Sequence, residues 1–252
     1  MLNEKYSPSA ALAKARNEGV FKTSISHATL YKYITNGLFL HLTNNDLPVK
    51  KNPKKQDYRR VKRLSVPKGE TIENRPKEIN KRQSFGHWEM DCVEGKKGTF
   101  GTLLVLTERY TRYEIVRHMP RKTADNVAKA LDDIERETER FQEIFKSITV
   151  DNGAEFSRPR DITKSIHGNK PRTKLYYCHP YCASERGSNE NANKLVRRHH
   201  PKGTSLAELT PEEVKRTEDW INDYPRKLLQ WKTAREVFQN LTTCTKKREV
   251  EN

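Results

Sequence analysis

The stretch GHWEMDCVEG, residues 86–95, decides how the chain is read. Trp88, Met90 and Cys92 fall on one face and Glu89 and Asp91 on the other, the two-residue period of a half-buried strand. A few residues on, TLLVLTE (102–108) is an almost unbroken apolar run, as expected of a strand covered on both faces. RYEIVRHM (112–119) alternates again. Turn residues at Lys96–Gly98 and Tyr110–Thr111 separate the three runs, which predicts a three-stranded meander.

Working outward from this meander, residues 123–140 predict a helix. Ala124, Val127, Ala128, Leu131 and Ile134 form one stripe, and Thr123 stands where it can cap the first turn. SITV (147–150) predicts a short strand ended by Asp151-Asn152-Gly153, and KLYYC (174–178) another. Helices are expected over Ser188–Arg198 and Pro211–Asp223. Strands that alternate with helices in this order give an α/β layout.

The N-terminal side has a different texture. The chain has 252 residues, 49 Lys and Arg against 33 Asp and Glu, and a net charge of +16. Residues 1–84 carry 18 of the basic and 7 of the acidic side chains. Such an uneven excess suits a polyanion, nucleic acid before an anionic membrane surface. Residues 1–47 contain two short helical patterns, one alanine-rich (Ser9–Arg16) and one with Leu30, Tyr31 and Ile34 at helical intervals behind a Ser26 cap. Residues 48–84 hold Pro48, Pro53, Pro67 and Pro76 among many lysines and arginines. They read as a linker tracking a phosphate backbone, with Lys54, Lys55, Arg59, Arg60, Lys62 and Arg63 as DNA contacts. The expected division is a helical region at 1–47, this basic linker at 48–84, a catalytic core at 85–240 and a polar tail at 241–252. No apolar run approaches the roughly 18–20 residues of a membrane span, and MLNEKYSPSA lacks the apolar stretch of a secretory signal. The four cysteines do not make a disulfide framework, so an intracellular protein is expected.

Three acids stand out by position. Asp91 lies within the first strand, Asp151 at the end of the fourth, and Glu190 in the first turn of a helix after ERGSNE (185–190). Each also has a plain structural reading: an edge-strand charge, a turn residue, a favourable partner of the helix dipole. Brought together, they would repel one another unless cations intervened, and oxygen-only ligands suit Mg²⁺ or Mn²⁺. Counting along the helix from Glu190, Asn193, Lys194, Arg197 and Arg198 share its face, opposite Ala192, Leu195 and Val196. One helix would then present a carboxylate for a metal and cations for flanking phosphates, which is what chemistry on a phosphodiester needs. An ordinary amphipathic helix with a solvated basic face is the competing reading.

At these residues the chain resembles the integrase-core transposases of bacterial insertion sequences, specifically the insertion-sequence family numbered thirty. The resemblance runs over about residues 75–240. It is carried in order by GHWEMDCVEG, LTERYTRY (106–113), KTADNVAKAL (122–131), ITVDNGAEF (148–156), HPYCASERGSNENANKLVRR (179–198), PKGTSL (201–206) and INDYPRKLLQWKTAREVF (221–238). It implies an RNase-H-like fold, a mixed sheet flanked by helices, and a DDE triad of Asp91, Asp151 and Glu190. It also implies metal-dependent cleavage and strand transfer of DNA, with Asp91 shared between two Mg²⁺ or Mn²⁺ ions about 3.5–4 Å apart. Lys194 and Arg197 fall where integrase-like helices touch the DNA end. The implied partners are double-stranded DNA, both element ends and target, and at least one further copy of the chain; the implied location is the bacterial cytoplasm, at the nucleoid. The chain departs from the family pattern at Cys182, Ser184, His199, His200 and Ala234, and by this resemblance it is expected to start after a further N-terminal helix-turn-helix. A truncated copy that binds DNA or regulates without cutting is therefore the alternative.

Other motifs attract weaker readings. Cys178-His179-Pro180-Tyr181-Cys182 is a single cluster, short of the four ligands of a structural zinc site. His87 reads as a strand-end packing residue, with a general base as the alternative, and Glu155 as a carboxylate paired with an arginine, with a spare metal ligand near Asp151 as the alternative. Trp220, Tyr224 and Trp231 read as core of the C-terminal helices.

Overall fold

The computed structural model describes residues 4–48, 69–180 and 182–250. Lys54, Lys55, Arg59, Arg60, Lys62 and Arg63 lie outside the described residues. The chain divides into two compact units, one built from its N-terminal part together with 223–234, the other from 63–222 and 235–252.

In the first unit, α1 (Pro8–Asn17) starts where sequence chemistry favours it. Ser7 is extended, its Oγ accepts from the Ala10 amide, and a proline fills the first helical turn. Helix α2 (His27–Thr35) is capped in the same way by Ser26, which accepts from the Thr29 amide at 3.0 Å. Leu30, Ile34, Leu42 and Leu47 bury against one another, with Leu12 beside them. Tyr224 belongs here and not with the helices of the other unit. Its ring stacks on Tyr6 at 5.2 Å, and its hydroxyl lies 2.9 Å from Ser7 Oγ. Trp231, whose carbonyl accepts from Asn17 Nδ2, belongs here too. Of the three aromatics read as C-terminal core, only Trp220 packs against the core of the second unit. The other two lie between the helices Pro211–Asn222 and Ala234–Val250, in a segment without regular hydrophobic spacing, so periodicity does not show where they pack.

The second unit is a six-stranded sheet in the order β1-β6-β5-β2-β3-β4. Its strands are β1 (Glu70–Thr71), β2 (His87–Glu94), β3 (Thr102–Glu108), β4 (Glu114–Met119), β5 (Ser147–Val150) and β6 (Lys174–Tyr177). β2, β3 and β4 form the antiparallel meander, while β5 runs parallel to β2 and β6 parallel to β5. Helices α3 (Ala124–Glu137), α4 (Phe141–Ile144), α5 (Pro159–Thr163), α6 (Gly187–His199), α7 (Pro211–Asn222) and α8 (Ala234–Val250) complete it. This is a mixed sheet flanked by helices, as expected.

The sheet has a core on each face, which explains why β3 lacks a polar alternation: all seven of its residues are buried. Leu104 and Leu106 join Trp88, Met90, Val127, Leu131 and Ile134 on the α3 side. Leu103 and Val105 join Ala192, Leu195, Val196, Val214 and Ile221 on the α6–α7 side. Each fully buried leucine or valine contributes roughly 1.5–3 kcal/mol, so both layers hold the sheet. Thr123 caps α3, accepting from the Asn126 amide. Of the expected α3 stripe, Val127, Leu131 and Ile134 are buried, whereas Ala124 and Ala128 sit at its half-exposed margin and Ala130 takes the inner position.

Two expected boundaries move. The linker reading of 48–84 fails at its C-terminal end, because β1 pairs with β6 and Arg75 is buried, donating to Thr149 Oγ1 at 2.8 Å and Asn80 Oδ1 at 2.6 Å. A two-residue polar strand has no period to detect. The expected polar tail at 241–252 is helical as far as Val250, since nothing in Leu241–Val250 breaks a helix once α8 is under way.

Candidate active site

Strand pairing brings the two aspartates together. β5 lies parallel to β2 with Glu89 opposite Thr149. Two residues further along each strand stand Asp91 and Asp151. Asp151 ends its strand in a turn that its own carboxylate closes, accepting from the Gly153 amide at 2.9 Å. Asn152 ties the same turn to β6 by donating to the Cys178 carbonyl at 2.8 Å. A Cβ on Gly153 would come within 2.5 Å of the Glu155 carboxylate, which would have to shift. On β2, Asp91 Oδ1 accepts from the Cys92 amide at 2.9 Å, and Oδ2 from Asn193 Nδ2 at 3.0 Å.

A single guanidinium spans the pair. Arg186 Nη1 lies 3.3 Å from Asp91 Oδ1, and its Nη2 lies 2.9 Å from Asp151 Oδ2. Burial alone would lower the Arg186 pKa, but the charges of Asp91 and Asp151 outweigh it and leave the pKa above its ordinary value.

Helix α6 is held over this site by a residue that sequence reasoning assigned to a solvated face. Glu89 is fully buried. Its Oε2 accepts from the Ser188 and Asn189 amides at 3.0 and 2.9 Å, so a carboxylate sits on the N-terminal end of α6, where unpaired amides and the helix dipole favour it. Its Oε1 lies 3.0 Å from Nη1 of buried Arg109. Asn189 adds a second link between helix and strand. In the amide orientation that satisfies its neighbours, it donates to the Glu89 carbonyl at 3.2 Å and accepts from the Asp91 amide at 3.0 Å. Alternation put Glu89 on the correct face of β2. What it could not show was that the N-terminus of a helix a hundred residues away covers that face.

Glu190 follows Asn189 in the first turn of α6 and is exposed. It stands one turn before Asn193 on the same side of the helix. Among the described residues no three His, Cys, Asp or Glu side chains stand close enough together to hold a metal ion. The structure thus brings Asp91 and Asp151 together on Arg186, and places Glu190 exposed in the first turn of the helix whose Asn193 holds Asp91. The aspartates fit a divalent cation: two oxygen donor groups converge on one positive charge.

With this geometry in view, the relatives decide the family. Over 252 residues the chain is 31% identical to the transposase for insertion sequence element IS4351 of Bacteroides fragilis, matching 96% of this chain and 71% of that protein. The chain belongs to the insertion-sequence transposase family. It is also 40% identical over 223 residues to the probable transposase for insertion-like sequence element IS1161 of Streptococcus salivarius, covering 87% of this chain and 60% of the relative. A third relative is transposase InsI for insertion sequence element IS30C of Escherichia coli (strain K12), 34% identical over 186 residues, 72% of this chain and 45% of the relative. The chain thus spans between 45% and 71% of the length of these transposases. No family model matches it. Among solved structures, the catalytic core domain of BIV integrase is similar with a TM-score of 0.48 and 18% identity, covering 64% of this chain and 99% of that one.

The remaining site residues of this transposase-family chain divide by what they touch. The single basic face expected along α6 is split. Asn193 turns to Asp91, while Arg197 donates to the Glu94 carbonyl at 2.8 Å and so pins the helix to the end of β2. Lys194 is exposed and reaches Asn191, and Arg198 lies over the Trp220 ring at 5.9 Å. The apolar stripe of Ala192, Leu195 and Val196 is buried as expected.

Glu155 pairs with a lysine and not with an arginine. Its carboxylate lies 3.2 Å from Lys122 Nζ, which also meets Glu94 at 2.6 Å. Burial raises the Glu155 pKa against the pull of Lys122. His87 packs at the start of β2, with Nδ1 2.8 Å from Ser147 Oγ, and burial holds its pKa down at about 4. In the Cys178–Cys182 segment, burial pushes the Cys178 thiol up to about 12, and the His179 ring nitrogens contact Glu185 at 2.8 Å and Glu73 at 3.2 Å.

Proposed function

We propose that this chain catalyses divalent-metal-dependent cleavage and strand transfer of double-stranded DNA, with Asp91, Asp151 and Glu190 as the metal-binding triad. The observation that carries the reading is the convergence of Asp91 and Asp151, from adjacent parallel strands, on one shared positive charge. When bound, Mg²⁺ or Mn²⁺, as one ion or two, supplies Lewis acidity and lowers the pKa of a coordinated water.

The protein's own residues orient the ligands. Asn193 and the Cys92 amide hold Asp91 by its two oxygens, and the Gly153 amide holds Asp151. Glu89 fixes the start of α6 and with it the position of Glu190 on the helix. Lys194 and Arg198, from the same helix, meet the phosphates flanking the scissile bond, and the basic segment with Lys54, Lys55, Arg59, Arg60, Lys62 and Arg63 follows the duplex. Two element ends must be held at once, so the acting species is a homodimer or larger, working on chromosomal DNA in the bacterial cytoplasm.

The test is nicking of a labelled duplex bearing the terminal repeats of the encoding element, in Mn²⁺. The wild-type chain is expected to nick; Asp91→Asn, Asp151→Asn and Glu190→Gln are expected to retain binding in a gel shift and lose cleavage. Full nicking by Asp91→Asn refutes the mechanism. A second reading, a DNA-binding copy without cleavage, is favoured by the finding that among the described residues no three His, Cys, Asp or Glu side chains group closely enough to hold a metal ion. Cleavage by the wild-type chain that depends on Glu190 eliminates it.

A further inference from the structure

The inference concerns Arg186 and rests on Asp91 and Asp151 being metal ligands. Arg186 ends the short turn Ala183–Arg186 ahead of α6, and its side chain is 14% exposed. Its two terminal nitrogens each address a different carboxylate, Asp91 through Nη1 and Asp151 through Nη2. A guanidinium is a rigid planar fork of donors that never loses its charge near neutral pH, so it is suited to bridging two fixed anions. Without such a cation the two carboxylates would face each other as like charges with part of their solvation removed.

The backbone around Arg186 is tied on both sides. The Glu185 amide donates to the Cys182 carbonyl at 3.2 Å, and the Ser188 and Asn189 amides are held by Glu89. The arginine side chain can therefore leave the pair by rotating, without moving α6. Outside the pair, the same fork matches a phosphodiester.

We propose that Arg186 is the resident cation of the aspartate pair: it holds Asp91 and Asp151 convergent before a divalent ion binds, and it must swing away for that ion to be ligated. Metal and arginine compete for the same oxygens. Loading of the site is coupled to release of a guanidinium beside it.

The experiment measures Mn²⁺ binding to the full chain by the electron paramagnetic resonance signal of free Mn²⁺, with thermal melts in parallel. Arg186→Gln is expected to bind Mn²⁺ about tenfold more tightly than wild type, the order expected from removing two partly exposed ion pairs. Its metal-free melting temperature is expected below wild type, and its gain on saturation with Mn²⁺ larger. Arg186→Lys keeps the charge but cannot fork, so its affinity is expected between the two, and it serves if the glutamine variant does not fold. Unchanged or weaker Mn²⁺ binding by the folded variants overturns the inference. Asp91→Asn separates the two levels of the argument. If it binds Mn²⁺ as wild type does, the metal-site reading fails and this inference falls with it. If it loses binding while Arg186→Gln gains none, only the role given to Arg186 fails.

Discussion

Replacing Glu89 with Gln removes one charge and almost no volume, and its consequence follows from what that charge touches. The Glu89 side chain is 0% exposed, its partner Arg109 is 3% exposed, and they meet at 3.0 Å. Burial already pulls the Arg109 pKa down to about 10, with Glu89 the main influence raising it. Removing one member of a buried pair leaves the other charged and uncompensated, at a cost of about 3–5 kcal/mol. The glutamine oxygen can still accept from the Ser188 and Asn189 amides, but as a neutral acceptor. Taking about 3 kcal/mol, and about 2–4 °C per kcal/mol for a domain of this size, the melting temperature should fall by roughly 6–12 °C. Urea denaturation followed by tryptophan fluorescence reads the same loss, because buried Trp88 stacks on Phe145 at 4.4 Å one residue before Glu89. The paired variant Glu89→Gln/Arg109→Met removes the orphaned cation and should recover most of the loss. A loss below about 1 kcal/mol for Glu89→Gln, or a double variant no more stable than the single one, would refute the account of how α6 is anchored.

Two smaller predictions test other parts of the argument. His87 has a folded pKa of about 4 against an ordinary 6.5. Its contribution to stability is therefore fully present above the unfolded value and is lost as pH falls from about 6.5 towards 4. Urea midpoints measured between pH 7.5 and 4.5 should fall less steeply for His87→Gln than for wild type, and equal slopes would remove His87 from the acid sensitivity. Thr123→Ala should cost about 1 kcal/mol by removing the cap from α3, with Thr123→Ser retaining most of it; an unchanged urea midpoint in the alanine variant would show that the cap does not contribute.

Periodicity and turn chemistry made much of the second unit legible. The β2–β3–β4 meander, the Asp151 turn, the Thr123 cap and the apolar stripe of α6 all express local rules: alternation, capping and the 3.6-residue repeat. Elements whose stability comes from elsewhere were not legible. β1 is two polar residues held by pairing with β6, and Arg75 is buried only because Thr149 and Asn80 receive it. The 223–234 segment carries Tyr224 to Tyr6, a partner with no sequence signal at all.

The site divides in the same way. Sequence by itself determined which acids were worth following and the family to which the chain belongs, because strand ends, helix starts and ordered motifs are written along the chain. Only the tertiary structure decided that Glu89 is a buried anchor and not a solvated charge, that Asn193 serves Asp91, and that Arg186 stands between the two aspartates. The physical reason is that electrostatic partnership depends on distance and burial. Parallel pairing of β2 with β5, and the docking of α6 on β2, bring together polar and charged groups that are 35 to 102 positions apart in the chain.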